Sequence, residues 1–261
     1  MNIDLRNKNA LVCGSTQGIG KASAVAIALL GANVTLIARN EEALKKTLTE
    51  LDSSKGQKHN YIVADYSKPD ELKKKVEAYT AKNIVHILLN NTGGPAGGPI
   101  LDSKTEEFTQ AFSNHLLCNH ILVQTVVEGM KKEKYGRIIN IISTSVKQPI
   151  KGLGVSNTIR AAVASWAKTL AGELGQFGIT VNNVLPGATN TERLKALQEI
   201  RAKKAGISFS EEQNEWLKEI PAGRFADASE IANAVAFLAS PAASYINGIN
   251  LPVDGGRTGS L

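Results

Sequence analysis

The chain has 261 residues, 43% hydrophobic and 21% charged, with 23 glycines and 8 prolines. That balance supports an ample core and excludes a largely disordered or collagen-like chain; at about 150 residues per domain the length admits one or two domains. Thirty basic against 24 acidic residues leave a formal charge of +6 spread along the sequence, which suits anionic small ligands and, with no basic arm, argues against a nucleic-acid partner.

The opening MNIDLRNKNA lacks the apolar core of a signal peptide, and no apolar run approaches about 20 residues. A cytoplasmic protein without membrane contact is therefore expected. Residues 10–13, 34–38, 61–64, 84–90, 137–143 and 180–185 are near-continuously apolar and read as strands of a parallel sheet buried on both faces. Amphipathic segments at about 19–30, 41–51, 70–81, 106–130 and 155–174 predict the intervening helices, and a late helix follows at 229–239. Ser103 followed by Glu106 predicts a capping box for the fourth of them. The alternation predicts a Rossmann-type α/β fold: one doubly wound parallel sheet with right-handed crossovers, spanning residues 1–261 without a linker. Cys13 and Cys118 are the only cysteines, too few for a disulfide framework or a thiolate metal site. Residues 192–220 are strongly charged and helical in period. Placed after the sixth strand, they predict a lid over the substrate crevice, the alternative being a surface hairpin.

The first strand runs into Cys13-Gly14-Ser15-Thr16-Gln17-Gly18-Ile19-Gly20 and then a helix. In that setting Gly14 allows the tight exit, Gly18 lets backbone approach a phosphate, and Gly20 permits close helix–strand packing. The free N–H groups at the helix start then face an anion. The second strand ends Ile37-Ala38-Arg39-Asn40, with no acid at the tip to bind a ribose 2′-hydroxyl. Arg39 suits a 2′-phosphate, with the Ser15 hydroxyl as a second donor, so NADP(H) is the expected cofactor. The glycine-rich loop 93–99 follows the fourth strand and is expected to border cofactor and substrate.

Taken together, Gly14-x-x-x-Gly18-Ile19-Gly20, Asp65, Asn90-Asn91-Thr92-Gly93, Asn140-Ile141-Ile142-Ser143, Pro186-Gly187 and Val253-Asp254-Gly255-Gly256 resemble the short-chain dehydrogenase/reductase family over essentially the full length. Residues 242–248 look like its 3-oxoacyl-acyl-carrier-protein reductase branch. The resemblance implies that Asp65 and Tyr66 meet the adenine, that Asn91 and Gly93 line the adenosine pocket, and that Pro186, Gly187, Thr189 and Thr191 hold the nicotinamide. Gln17 and Ile19 join the glycines around the phosphates. A homotetramer, or a dimer, is the assembly implied.

The family's usual catalytic set is Asn, Ser, Tyr and Lys. Aligned from Asn140, the serine falls on Ser143, the tyrosine on Ser156 and the lysine on Arg160; counted from Phe108, the asparagine falls on His115. An aliphatic hydroxyl is far less acidic than a phenol and much shorter; Arg160 keeps a positive charge that suits a hydrogen bond to the cofactor's ribose, as the lysine it replaces would make, but an arginine stays protonated and is no easy proton shuttle. Three readings follow. The first is an NADPH-dependent reductase of a carbonyl compound, such as an oxoacyl thioester, in which Ser143 polarises the oxygen. The proton then comes from His115 or from a water held by Ser156 and Arg160. Hydride addition to a conjugated C=C is its variant, with Arg160 and Ser143 stabilising the charge. The second is a catalytically silent NADP-binding sensor or scaffold. The third is nucleic-acid binding through Lys131, Lys132, Lys134 and Arg137, a cluster explained better by a helix C-terminus or an acidic acyl-carrier protein.

Overall fold

A computed structural model describes residues 1–260. Among these, β1 (Asn9–Cys13), β2 (Asn33–Ala38), β3 (Asn60–Val63), β4 (Ile87–Asn90), β5 (Gly136–Ile141), β6 (Ile179–Pro186) and β7 (Asn250–Val253) form a single sheet. Every pairing is parallel, in the order β3-β2-β1-β4-β5-β6-β7. The direction of winding reverses between β1 and β4, which opens a crevice at the carboxyl ends of those strands.

The strands are apolar throughout because both faces are covered. Alternate side chains enter different layers: Ala10 and Val12 join one core, Leu11 and Cys13 the other. The helices are α1 (Gly18–Leu29), α2 (Glu41–Leu48), α3 (Pro69–Thr80), α4 (Thr105–Phe112), α5 (Cys118–Glu133), α6 (Gly154–Leu174), α7 (Glu192–Ala205), α8 (Phe209–Lys218) and α9 (Ala228–Ala239). On the first face, Ala24, Ile27 and Ala28 of α1 meet Ile231, Val235 and Leu238 of α9. On the second, Leu72 and Val76 of α3 pack with Leu122 and Val126 of α5 and with Ala167 and Ala171 of α6.

Several expectations change. The strand β7 escaped the sequence reading because Asn250-Leu251-Pro252-Val253 is short, polar at its start and carries a proline; as an edge strand it tolerates Pro252. The helix expected over 106–130 is interrupted by a π turn at Ser113–Leu117, between α4 and α5. The Ser103–Glu106 capping box does not form. Lys104 is the N-cap residue, one position later than expected, and the Ser103 hydroxyl donates instead to the Pro99 carbonyl at 3.2 Å. Capping boxes occur at Ser208–Glu211 and Asp227–Glu230. Arg137 leaves the basic surface cluster altogether: it lies on β5, 3% exposed, over the Tyr135 ring, and donates to the carbonyls of Gly136 and Gly178. No helix among the described residues is long and apolar enough to cross a membrane.

A row of amides, buried on three strands and half-buried on the fourth, crosses half of the sheet. Asn90 Nδ2 donates to Asn140 Oδ1 (2.8 Å), Asn140 Nδ2 to Asn183 Oδ1 (2.9 Å), and Asn183 Nδ2 to Asn250 Oδ1 (2.8 Å). The four are register partners on β4, β5, β6 and β7. Asn140→Leu keeps the number and branching of side-chain heavy atoms but leaves the Asn90 amide and the Asn183 oxygen unpaired. At about 1–3 kcal/mol for each unsatisfied buried group, the variant should lose about 2–6 kcal/mol in urea denaturation. Wild-type stability in that variant would show that the row contributes nothing.

Candidate active site

The crevice is a cleft of about 1080 Å³, bordered at one end by the glycine loop, Arg39 and Asp65 and at the other by Ser143, Ser156 and Arg160. Gly14 and Gly18 line it with φ of 58° and 52°, the left-handed region that glycine adopts at little cost. A Cβ on Gly20 would lie 2.2 Å from the Gly14 carbonyl oxygen, so this third glycine sits beneath the loop and lets α1 close on it. The Asn91 side chain braces the loop, donating to the carbonyls of Cys13 and Gly14 at 3.3 Å each. Gln17, which lines the cleft with Ile19, is the N-cap residue of α1, but its side chain makes no cap bond and the first turn holds no acid. The helix start is thus open to an anion.

Around this cradle the expected residues are mostly assembled. Arg39 is exposed on the rim and makes no ion pair among the described residues, while Asn40 is occupied in capping α2 through the Ala43 N–H. The Asp65 carboxyl accepts from the Ser67 N–H (2.9 Å), which, with the Ser67 hydroxyl and the charge of Arg39, holds it below the usual carboxylate range. Gly93, Pro186, Gly187, Thr189 and Thr191 line the cleft as well. Thr191 also caps α7, accepting from the Leu194 N–H at 3.3 Å. Tyr66 borders the cleft, but its phenol is buried in the core without a partner, and burial, then Cys13, pushes it well above its ordinary range. Ser15 departs from expectation. It is fully buried and donates its hydroxyl to the Ile37 carbonyl (3.3 Å), because the tight turn aims it back at the sheet edge. Thr16 borders the cleft instead.

At the other end, Ser143 follows β5 and caps a short 3₁₀ turn, its oxygen accepting from the Ser145 N–H at 3.1 Å. That leaves the hydroxyl proton free to donate to a ligand. Ser156 and Arg160 stand one turn apart on α6, each 8% exposed, and both line the cleft. The Ser156 hydroxyl has no partner among the described residues. Arg160 Nη1 donates to the Ile141 carbonyl at 2.9 Å. Burial, with Arg193 nearby, brings the guanidinium down to about 10, so it stays charged at neutral pH. His115 sits in the π turn behind this end, 2% exposed, with Nδ1 hydrogen-bonded to the Thr92 hydroxyl. Burial, then the charges of Arg160 and Arg193, push it down to about 2. The expected histidine acid is therefore a neutral imidazole that bears on the cleft through Thr92.

Further cleft residues were not singled out in the sequence. Arg193 and Leu197 of α7 and Trp216 of α8 place the 192–220 segment along the cleft. Arg257 pairs with Glu219 and lies over the Trp216 ring at 4.8 Å. The charged periodicity of this segment located it without distinguishing its inward side chains. Arg193 also donates to the Pro95 carbonyl, tying α7 to loop 93–99. Among the described residues no group of three metal-binding side chains occurs.

A family model described as enoyl-(acyl carrier protein) reductase matches residues 14–258. The 3-oxoacyl-[acyl-carrier-protein] reductase FabG of Vibrio cholerae is 35% identical over 256 residues, covering 97% of this chain and 98% of that protein. The uncharacterized oxidoreductase YvrD of Bacillus subtilis is 34% identical over the whole of both chains. The crystal structure of L-sorbose reductase from Gluconobacter frateurii, complexed with NADPH and L-sorbose, superposes with a TM-score of 0.92 at 28% identity, covering 100% of both chains. With its sequence matched almost end to end and its seven-stranded parallel sheet shared, the chain belongs to the short-chain dehydrogenase/reductase family.

Proposed function

We propose that the protein is an NADP(H)-dependent reductase of a carbonyl compound in which Ser143 and Arg160 stabilise the substrate oxygen in place of a tyrosine–lysine pair. The observation that carries this reading is the pairing, in one cleft, of an uncapped glycine cradle with a serine whose proton is free and a buried guanidinium. The residues present fit the dinucleotide: Gly14, Gly18 and the start of α1 for its phosphates, Arg39 and Thr16 for a 2′-phosphate, Asp65 for the adenine, and Thr189 and Thr191 for the nicotinamide end. Bound NADPH supplies the hydride.

The protein's own contribution is electrostatic. As hydride arrives, negative charge develops on the substrate oxygen. A preorganised hydroxyl and a desolvated cation stabilise that charge more in the transition state than in the ground state. Arg160 stays protonated, so it holds charge without giving up a proton; the Ser156 hydroxyl, free beside it, holds the water that supplies one. His115, neutral throughout the working range, orients Thr92 and takes no part in proton delivery. Hydride addition to a conjugated C=C draws on the same fixed cation, since an enolate needs stabilisation before it needs a proton. Relatives named as 3-oxoacyl-[acyl-carrier-protein] reductases put oxoacyl compounds on the substrate panel; the basic end of α5 (Lys131, Lys132, Lys134) leads into the amino end of β5, away from the cleft, and complements the helix dipole there. Residues 192–220 serve as the lid.

Purified protein should oxidise NADPH with at least one member of a panel of oxoacyl thioesters, ketones, quinones and enones. Ser143→Ala should lower kcat by about 10²–10³ while NADPH affinity is kept. Tight NADPH binding with no turnover across the panel would leave a sensor or scaffold in its place. Arg39→Asp should weaken NADPH relative to NADH by about tenfold or more in fluorescence titrations, through loss of a charge-assisted contact; an unchanged ratio would remove Arg39 from the cofactor site. His115→Asn should leave the pH profile of kcat between pH 5.5 and 8 unaltered, because the native imidazole is already neutral there. Loss of a limb near pH 6.5 would restore it as the acid.

A further inference from the structure

The substrate end of the cleft holds two cations with no counter-ion. A Cβ built on Gly94 would lie 3.1 Å from Arg193 Nη2 and 3.6 Å from Arg160 Nη2, so both guanidiniums reach the same small volume beside the loop after β4. Neither makes an ion pair with a carboxylate among the described residues. Glu192, the acidic neighbour of Arg193 on the cleft, is exposed and pairs with neither. Each guanidinium instead spends donors on a backbone carbonyl, Ile141 for Arg160 and Pro95 for Arg193, which fixes it in place and leaves its remaining N–H groups free. Two like charges held this close, one of them on a side chain only 8% exposed, are unfavourable unless an anion lies between them.

Resting on the reductase reading above, we propose that Arg160 and Arg193 form a clamp for a carboxylate carried by the substrate, so that the protein acts on oxo acids or enoic acids with a free carboxylate. The pair belongs to the reacting end. Arg160 is one turn from Ser156, and the carbonyl that anchors it lies two residues before Ser143. The neighbouring walls are apolar, with Ile150, Leu153, Leu197 and Trp216. Such walls suit a hydrocarbon chain ending in a planar monoanion and reject a heavily hydrated dianion. The flat fork of a guanidinium matches that planar anion with two parallel hydrogen bonds. A neutral ketone or thioester would leave both cations uncompensated.

The test uses the NADP-loaded protein and, as probes, straight-chain carboxylates from acetate to octanoate beside their methyl esters, titrated by calorimetry. The carboxylates should bind at least about tenfold more tightly than the esters. Arg193→Gln, a change on the exposed side of α7 that leaves the helix intact, should abolish that preference while NADP affinity stays within about twofold. Arg193→Lys should restore part of it. Equal binding of acid and ester, no binding of either, or a loss of NADP affinity in Arg193→Gln would overturn the clamp, the last by assigning the pair to the cofactor's pyrophosphate. Carboxylate preference without NADPH oxidation by oxo acids would uphold the clamp and retire the reductase. Turnover of neutral ketones without that preference would do the reverse.

Discussion

The amide row from Asn90 through Asn140 and Asn183 to Asn250 fixes the register of the four strands, β4 to β7, whose ends carry the reacting half of the cleft. Each amide donates to the next in one direction, so a one-residue slip of β5 or β6 would break two of these bonds and a slip of β4 or β7 one. The functional segments are counted from these anchors. Asn91 follows Asn90 and braces the glycine loop; Ser143 comes three residues after Asn140; Pro186 and Gly187 come three and four after Asn183. Side chains on four strand ends share one cleft because register on one row determines register on all.

Electrostatics then divides the cleft in two. At the cradle, an uncapped helix start and backbone N–H groups present partial positive charge, while Arg39 adds a full charge at the solvent edge, where pairing is cheap to make and to break. At the reacting end Arg160 is buried, and both it and the exposed Arg193 are fixed by carbonyls; burial strengthens the effect of Arg160 on any nearby negative charge and makes its own isolation costly. Burial, reinforced by the same field, keeps His115 neutral.

The parallel sheet, its six inner and leading strands and most helices were legible from apolar runs and 3.6-residue periodicity, since a sheet buried on both faces leaves a strong pattern. The glycine loop was legible too: Gly14 turns the chain in the left-handed region and Gly20 lets α1 close on the loop, as their spacing implied. Legibility failed where a side chain's direction mattered. Ser15 sits in the right loop and points the wrong way; Arg137 belongs to a basic run in sequence and to the interior in space; Ser103 stands one residue too early to cap α4.

Local sequence by itself determined the fold class and the glycine-rich turn that leads from β1 into α1, because these depend on spacing along the chain. Only the tertiary structure decided that His115 is neutral, that Arg193 comes across from the 192–220 segment to meet Arg160 at Gly94, and that four asparagines share one row. The partners in each case lie tens of residues apart, and burial and the field of distant charges have no signature in a local pattern.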